Sequence, residues 1–218
     1  MNRHWIISLV VALVASLSGG CIPYTVASTA RTTPVGDQHR SLVVYTVPSA
    51  IKAKEDSIDG FGMSIPGSDF ETRWGIDERT DLGIRIPSYS GIVMSYKRQL
   101  TGVGTTEKRA TAYMLGAGLV NWGQHAHIEG TYIVSGAERT ATPYGGLRVM
   151  QVVPLSSAFA SDRPTAGAFF GIRLGDGNVS IAPEIGVFYD HSALGHRSRD
   201  VIVVPSISVR NVKLGLPK

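Results

Sequence analysis

The residues of this chain able to do chemistry fall into three sets. The first is histidine. His125 and His127 are spaced i, i+2, and His191 and His196 lie in the loop "DHSALGH", which begins at Asp190. A metal centre needs three or four such ligands to converge with a carboxylate such as Asp190. Two histidines on one strand more often form a polar face, so no metal and no cofactor is expected. The second set is His191 with Ser192, a base beside a hydroxyl. Neighbours at a strand end point apart, so this pair does not make the nucleophile–base hydrogen bond unaided. The chain contains no Gly-x-Ser-x-Gly elbow and no Gly-x-x-x-x-Gly-Lys phosphate loop, and "GAGLVNWG" lacks the strand-turn-helix setting of a dinucleotide site. The expected protein is not an enzyme, and a membrane-interface hydrolase is the one catalytic alternative.

The third set is a series of charges scattered at regular intervals among large apolar residues, as in "RWGIDERTDLGIRIPSYSGIVMSYKRQL", residues 73–100. Side chains at i and i+2 share one face of a strand. Glu71 and Arg73 oppose Phe70, Thr72, Trp74 and Ile76. Arg85 and Gly83 oppose Leu82, Ile84 and Ile86, and Lys97 and Ser95 oppose Ile92, Met94 and Tyr96. Further along, His127, Glu129 and Thr131 oppose Ile128, Tyr132 and Val134. Arg148 and Tyr144 oppose Leu147 and Val149, Arg173 opposes Phe170, Ile172 and Leu174, and Glu184 opposes Ile185, Val187 and Tyr189. The segment at Arg109 to Val120 is ambiguous, and "VIVV" at 201–204 is apolar on both faces.

These faces must be carried by strands. No 11-residue window after Cys21 shows a clean helical apolar period. Strand-like runs recur instead at Leu42 to Val47, Asp69 to Ile76, Asp81 to Ile86, Gly91 to Arg98, Arg109 to Val120, His125 to Val134, Thr140 to Val153, Thr165 to Leu174, Val179 to Tyr189 and Val201 to Val209. "YTVASTA" at 24–30 reads as a further strand or an extended linker. Short connections such as "DERTD", "PSYSG", "NWGQ" and "GDGN" make the order a meander of hairpins. Longer links fall at 49–68, 154–164 and 190–200.

Two environments produce such parity. In a soluble sandwich the charges face water. In a transmembrane barrel the apolar residues face lipid and the charges face the lumen. Inward positions that mix glycine, aromatics and both charge signs suit a narrow filled lumen. Trp74, Tyr89, Tyr96, Trp122, Tyr132 and Tyr189 lie near strand ends, where an aromatic girdle sits. The expected fold is therefore all-β, an antiparallel up-and-down β-barrel of about 8–12 strands, with a β-sandwich as the alternative. The lumen-lining candidates are Glu71, Arg73, Arg85, Lys97, Glu129, Arg148, Arg173 and Glu184. They form either a ladder of structural ion pairs or a path favouring anionic solutes.

Length and composition agree with one barrel domain. The chain has 218 residues with 25 glycines, 17% charged residues and a net charge of +4. Its 21 Lys and Arg form no run or stripe, so nucleic acid is not an expected partner. At the N-terminus, Arg3 precedes the apolar run "WIISLVVALVASL" and then "SGGC", which reads as a secretory signal. The run is shorter than the roughly 20 residues of a spanning helix. Cys21 is the only cysteine, so no internal disulfide forms.

"LSGGC" resembles a bacterial lipobox, with Ser18 where the commonest form has Leu. The resemblance implies cleavage before Cys21, acylation of that residue and anchoring in membrane lipid. Ile22, in place of the retention signal Asp, implies delivery to the outer membrane. "RWGIDERTDLGIRI" resembles the hairpins of bacterial outer-membrane β-barrel proteins, which implies an outer-membrane bilayer as partner. Such barrels usually end in a strand with a C-terminal aromatic, whereas "RNVKLGLPK" has none after Tyr189. The alternative is thus a soluble barrel or sandwich tethered by Cys21. The expected organisation is a signal peptide at 1–20, an acylated linker at 21–40 and the barrel domain at 41–218. The expected role is structural, or that of a narrow pore or binding lumen.

Overall fold

A computed structural model of the chain describes residues 22–47, 65–103, 108–155, 163–175, 179–189 and 201–211. Alternating apolar and polar residues, with β-branched and aromatic side chains on one parity, build ten strands. They are β1 (Gln38–Val47), β2 (Ile65–Asp77), β3 (Thr80–Pro87), β4 (Ile92–Thr101), β5 (Arg109–Val120), β6 (His125–Gly136), β7 (Ala141–Pro154), β8 (Thr165–Gly175), β9 (Ser180–Tyr189) and β10 (Val201–Arg210). Each pairs antiparallel with its chain neighbour, and β10 returns to β1 through the register Ser41–Arg210 to Tyr45–Ser206. The sheet is a closed barrel with no free edge among the described strands.

The pleat sorts side chains as the parity demands. Inward positions are buried, while outward ones carry exposed Met94, Leu115, Ile128, Leu147, Phe170, Ile185 and Val203. Thr72, on the outward parity, is nevertheless buried. β10 obeys the same rule: Ile202 and Val204 point in, and Val201 and Val203 point out. In β5 the inward set is Ala110, Ala112, Met114 and Gly116. These two strands look ambiguous in sequence because their inner faces are apolar too.

The strands end at two rims. One, the Tyr89 rim, carries the ends at Val47, Pro87, Val120, Pro154 and Tyr189. The other, the Glu138 rim, carries those at Asp77, Thr101, Gly136, Gly175 and Arg210. The long links 48–64, 155–164 and 190–200 all connect strands at the Tyr89 rim. Exposed Tyr89, Trp122 and Tyr189 also ring this rim. Toward the opposite rim, Trp74, Tyr96, Tyr113 and Tyr132 lie on the outer face, with the Tyr96 and Tyr113 rings 6.1 Å apart. Ser88, Tyr89, Asn121 and Trp122 all have positive φ, which tightens the two short turns at the Tyr89 rim.

β1 and β2 start earlier than their sequence patterns suggest, at Gln38 and Ile65, because each extends the ladder of the other over Gln38–Trp74 to Val47–Ile65. "YTVASTA" forms no strand. Residues 22–30 are buried throughout and run inside the barrel from the Tyr89 rim toward the Glu138 rim. There Val35 makes a single bridge to Gly75 before the chain turns into β1.

Candidate functional site

The site is the lumen. Near the Tyr89 rim, Ile22, Tyr24, Tyr45, Val93, Met150, Phe188 and Ile202 form an apolar cluster, with the Tyr24 and Phe188 rings 5.5 Å apart. Tyr45 donates its hydroxyl to Asp69 at 3.2 Å and lies 3.3 Å from the Ser88 hydroxyl. A second cluster, from Val26 and Ala30 to Met114, Ile133, Tyr144 and Phe169, packs against β5–β9 on the Glu138 side of the first.

The lumen-lining candidates occupy the rest of the lumen, and each of them is buried. Arg148 is ion-paired with Glu129, whose other neighbour is His127 Nε2 at 2.8 Å. Glu71 bridges Arg73 at 2.7 Å and Arg85 at 3.5 Å. Arg73 also pairs with Asp81, which binds Lys97 at 3.1 Å. Arg173 pairs with Glu138 at the rim, at 2.5 Å. Glu184 makes no ion pair among the described residues. It accepts the amides of Val26 and Ala27, both at 2.8 Å.

The last contact shows what the charges are for. A segment threaded through a barrel has no ladder to bond its backbone, yet buried amides and carbonyls need partners. Side chains of the wall supply them. Arg85 and Arg148 each donate to the Thr25 carbonyl at 2.8 Å. Lys97 donates to the Arg31 carbonyl at 2.8 Å. Asp81 accepts from the Thr33 amide at 3.0 Å, Gln99 from Thr32 at 3.2 Å, and Ser135 from Ala30 at 3.3 Å. Two glycines make room for the wall's own charges. A Cβ on Gly83 would lie 2.7 Å from both Arg73 Nη1 and Ser95 Oγ, and one on Gly116 would lie 2.7 Å from Glu129 Cγ.

Pairing at this density is what makes buried charge tolerable. A lone buried ion costs several kcal/mol, and removing one partner of a buried pair costs about 3–5 kcal/mol. The arrangement can hold a chain segment and a fixed field. His125 lies 3.2 Å from Asn121, and among the described residues no group of three His, Cys, Asp or Glu can hold a metal ion. Cys21, His191, Ser192 and His196 lie outside the described residues.

Sequence reasoning missed Asp69 and Asp81, although each shares the inward parity of Glu71 or Arg85 and that signal was present. It also missed the threaded segment itself. Residues 22–30 carry no charge and no strong period, so nothing in them marks a lumen ligand.

No family model matches the chain, and no curated protein matches it in sequence. Among solved structures it is similar to Neisserial surface protein A, with 13% identity, coverage of 79% of this chain and 94% of that one, and a TM-score of 0.41. It is similar to the outer membrane protein OprG of Pseudomonas aeruginosa at 11% identity, covering 84% and 99% of the two chains with a TM-score of 0.28. For Ail, the attachment invasion locus protein of Yersinia pestis, the values are 12% identity, 79% and 95%, and 0.24. Likeness at this level carries no argument about function.

Proposed function

We propose that this chain is a non-enzymatic β-barrel of the bacterial outer membrane, anchored there by lipid on Cys21. Its role is structural, and its own N-terminal segment closes the lumen to solute flow. The observation that carries the reading is the sorting of the wall. The exposed face is a band of Leu, Ile, Val, Met and Phe between two sets of aromatics; the mid-strand charges are buried inside, and the exposed ones, such as Arg40, Arg98 and Arg109, lie toward the Glu138 rim. A soluble protein rarely exposes apolar surface on this scale. A spanning barrel requires it, with strands of roughly 9–11 residues. The occupied lumen favours the structural role over a pore, because residues 22–30 fill the axis along which solute would pass.

The anchor rests on "LSGGC". Two or more acyl chains hold a protein firmly, at roughly 0.8 kcal/mol for each buried CH₂. The test is expression in a bacterium with a double envelope, with fractionation and a gel run with and without boiling. The protein is expected in the outer membrane, with heat-dependent migration, labelled palmitate lost in Cys21→Ala, and negligible bilayer conductance. A Cys21→Ala protein that stays folded in buffer without detergent would show a tethered soluble barrel instead.

A further inference from the structure

At the Glu138 rim the ion pairing of the lumen runs out, and a half-enclosed space of about 120 Å³ remains between the threaded segment and the wall. Its lining is strongly cationic: Arg31, Arg73, Lys97, Arg173 and Arg210 against the carboxylates Asp37 and Glu138, with His39 alongside. Arg73 and Lys97 are matched by Asp81, and Arg73 by Glu71 as well. Arg31 and Arg173 share the single carboxylate of Glu138, at 3.7 and 2.5 Å. Asp37 is exposed at the mouth and pairs with no cation among the described residues.

Arg210 is left over. Its one described side-chain contact is with His39 Nδ1 at 3.5 Å, and no carboxylate of the described residues lies within ion-pair distance. Arg173 is 4% exposed, and its Nε, buried beside the same space, has no hydrogen-bond partner among the described residues. A guanidinium is not discharged at physiological pH, so this surplus is not relieved by losing a proton. Leaving it uncompensated in a half-enclosed site costs free energy.

We propose that this cavity binds a tetrahedral oxyanion of the phosphate class, held between Arg173 and Arg210. A water needs at least about 10–15 Å³ of such volume, so the space accommodates a group of a few heavy atoms with some hydration. Guanidinium forks match the oxygen spacing of phosphate and bind it with charge-assisted bonds. The ligand is either a free phosphate or the headgroup of a phospholipid entering past Glu138, whose side chain is 37% exposed at the mouth.

The test is calorimetric titration of the full-length protein in detergent with inorganic phosphate, beside native mass spectrometry of the protein as extracted. Binding of about one phosphate per chain identifies the free ion as ligand. A retained phospholipid that is lost in Arg210→Gln identifies the headgroup. In either case Arg210→Gln should weaken binding at least about tenfold, as loss of a hydrogen bond to a charged group implies. Glu138→Gln should tighten it, because it removes the competing carboxylate. Arg40→Gln, exposed on the same rim outside the cavity, should change nothing. If Arg210→Gln loses its folded gel migration, Glu138→Gln decides alone. No bound phosphate and no retained phospholipid, or affinity that Glu138→Gln leaves unchanged or lowers, overturns the proposal.

Discussion

Arg148, in the middle of β7, donates to the backbone carbonyl of Thr25, 123 residues earlier in the chain, at 2.8 Å. The same guanidinium is ion-paired with Glu129 on β6. One side chain thus ties two strands of the wall to the segment inside them. The charges of the inner face act as an adhesive for the N-terminal segment, and the lumen and its contents form one packed unit.

Arg148→Met should therefore be costly. It leaves Glu129 buried without its guanidinium and should lower the unfolding free energy by about 3–5 kcal/mol, read from urea titration of the barrel in vesicles. The double variant Arg148→Met with Glu129→Leu removes both charges and should recover most of the loss. Equal damage from the single and the double variant would mean that the pair is not what Arg148 contributes.

Glu184 holds the threaded segment by the amides of Val26 and Ala27. Hydrogen bonds to a charged group contribute roughly 1.5–3 kcal/mol each, and about 1.4 kcal/mol is tenfold in an opening equilibrium. A thiol introduced as Ser28→Cys in a Cys21→Ala background should be unreactive toward a polar thiol reagent, since Ser28 is buried. Adding Glu184→Ala should raise the labelling rate roughly tenfold or more. Fast labelling of Ser28→Cys alone would place the segment outside the lumen.

How much of this was legible beforehand depended on which side of the wall had to be distinctive. Strands such as β3 and β8, with Arg85 or Arg173 opposite Leu and Ile, declare both faces, and their limits were read to within a residue or two. β5 and β10 did not declare a face, because the threaded segment demands alanine, glycine, valine and isoleucine inside as well as out. The ion pairs were visible as a set of inward charges, but their partners were not. Register decides that Asp81 meets Lys97 and that Glu71 meets Arg85, and register is a property of pairing across strands. The segment 22–37 was illegible for a different reason: a chain bonded by other residues' side chains needs no periodicity of its own.

Gly83 should not tolerate a side chain. A β-carbon there would fall 2.7 Å from Arg73 Nη1 and from Ser95 Oγ. Gly83→Val should cost about 1–3 kcal/mol by overpacking against the Arg73 network. Gly123→Ala, in the β5–β6 turn with open space around it but φ of +81°, should cost backbone strain only. Thermal midpoints of heat-dependent gel migration rank the two variants, and a neutral Gly83→Val would mean that Arg73 does not hold the position described.

The outer face offers the most direct measurement of all. Leu147 sits mid-strand on β7 and is 62% exposed, opposite Arg148 across the sheet. Leu147→Arg, titrated with urea in phospholipid vesicles, should lose about 2–4 kcal/mol if that face meets the bilayer midplane. A change within about 0.5 kcal/mol, as for an ordinary water-facing position, would contradict the membrane-spanning barrel.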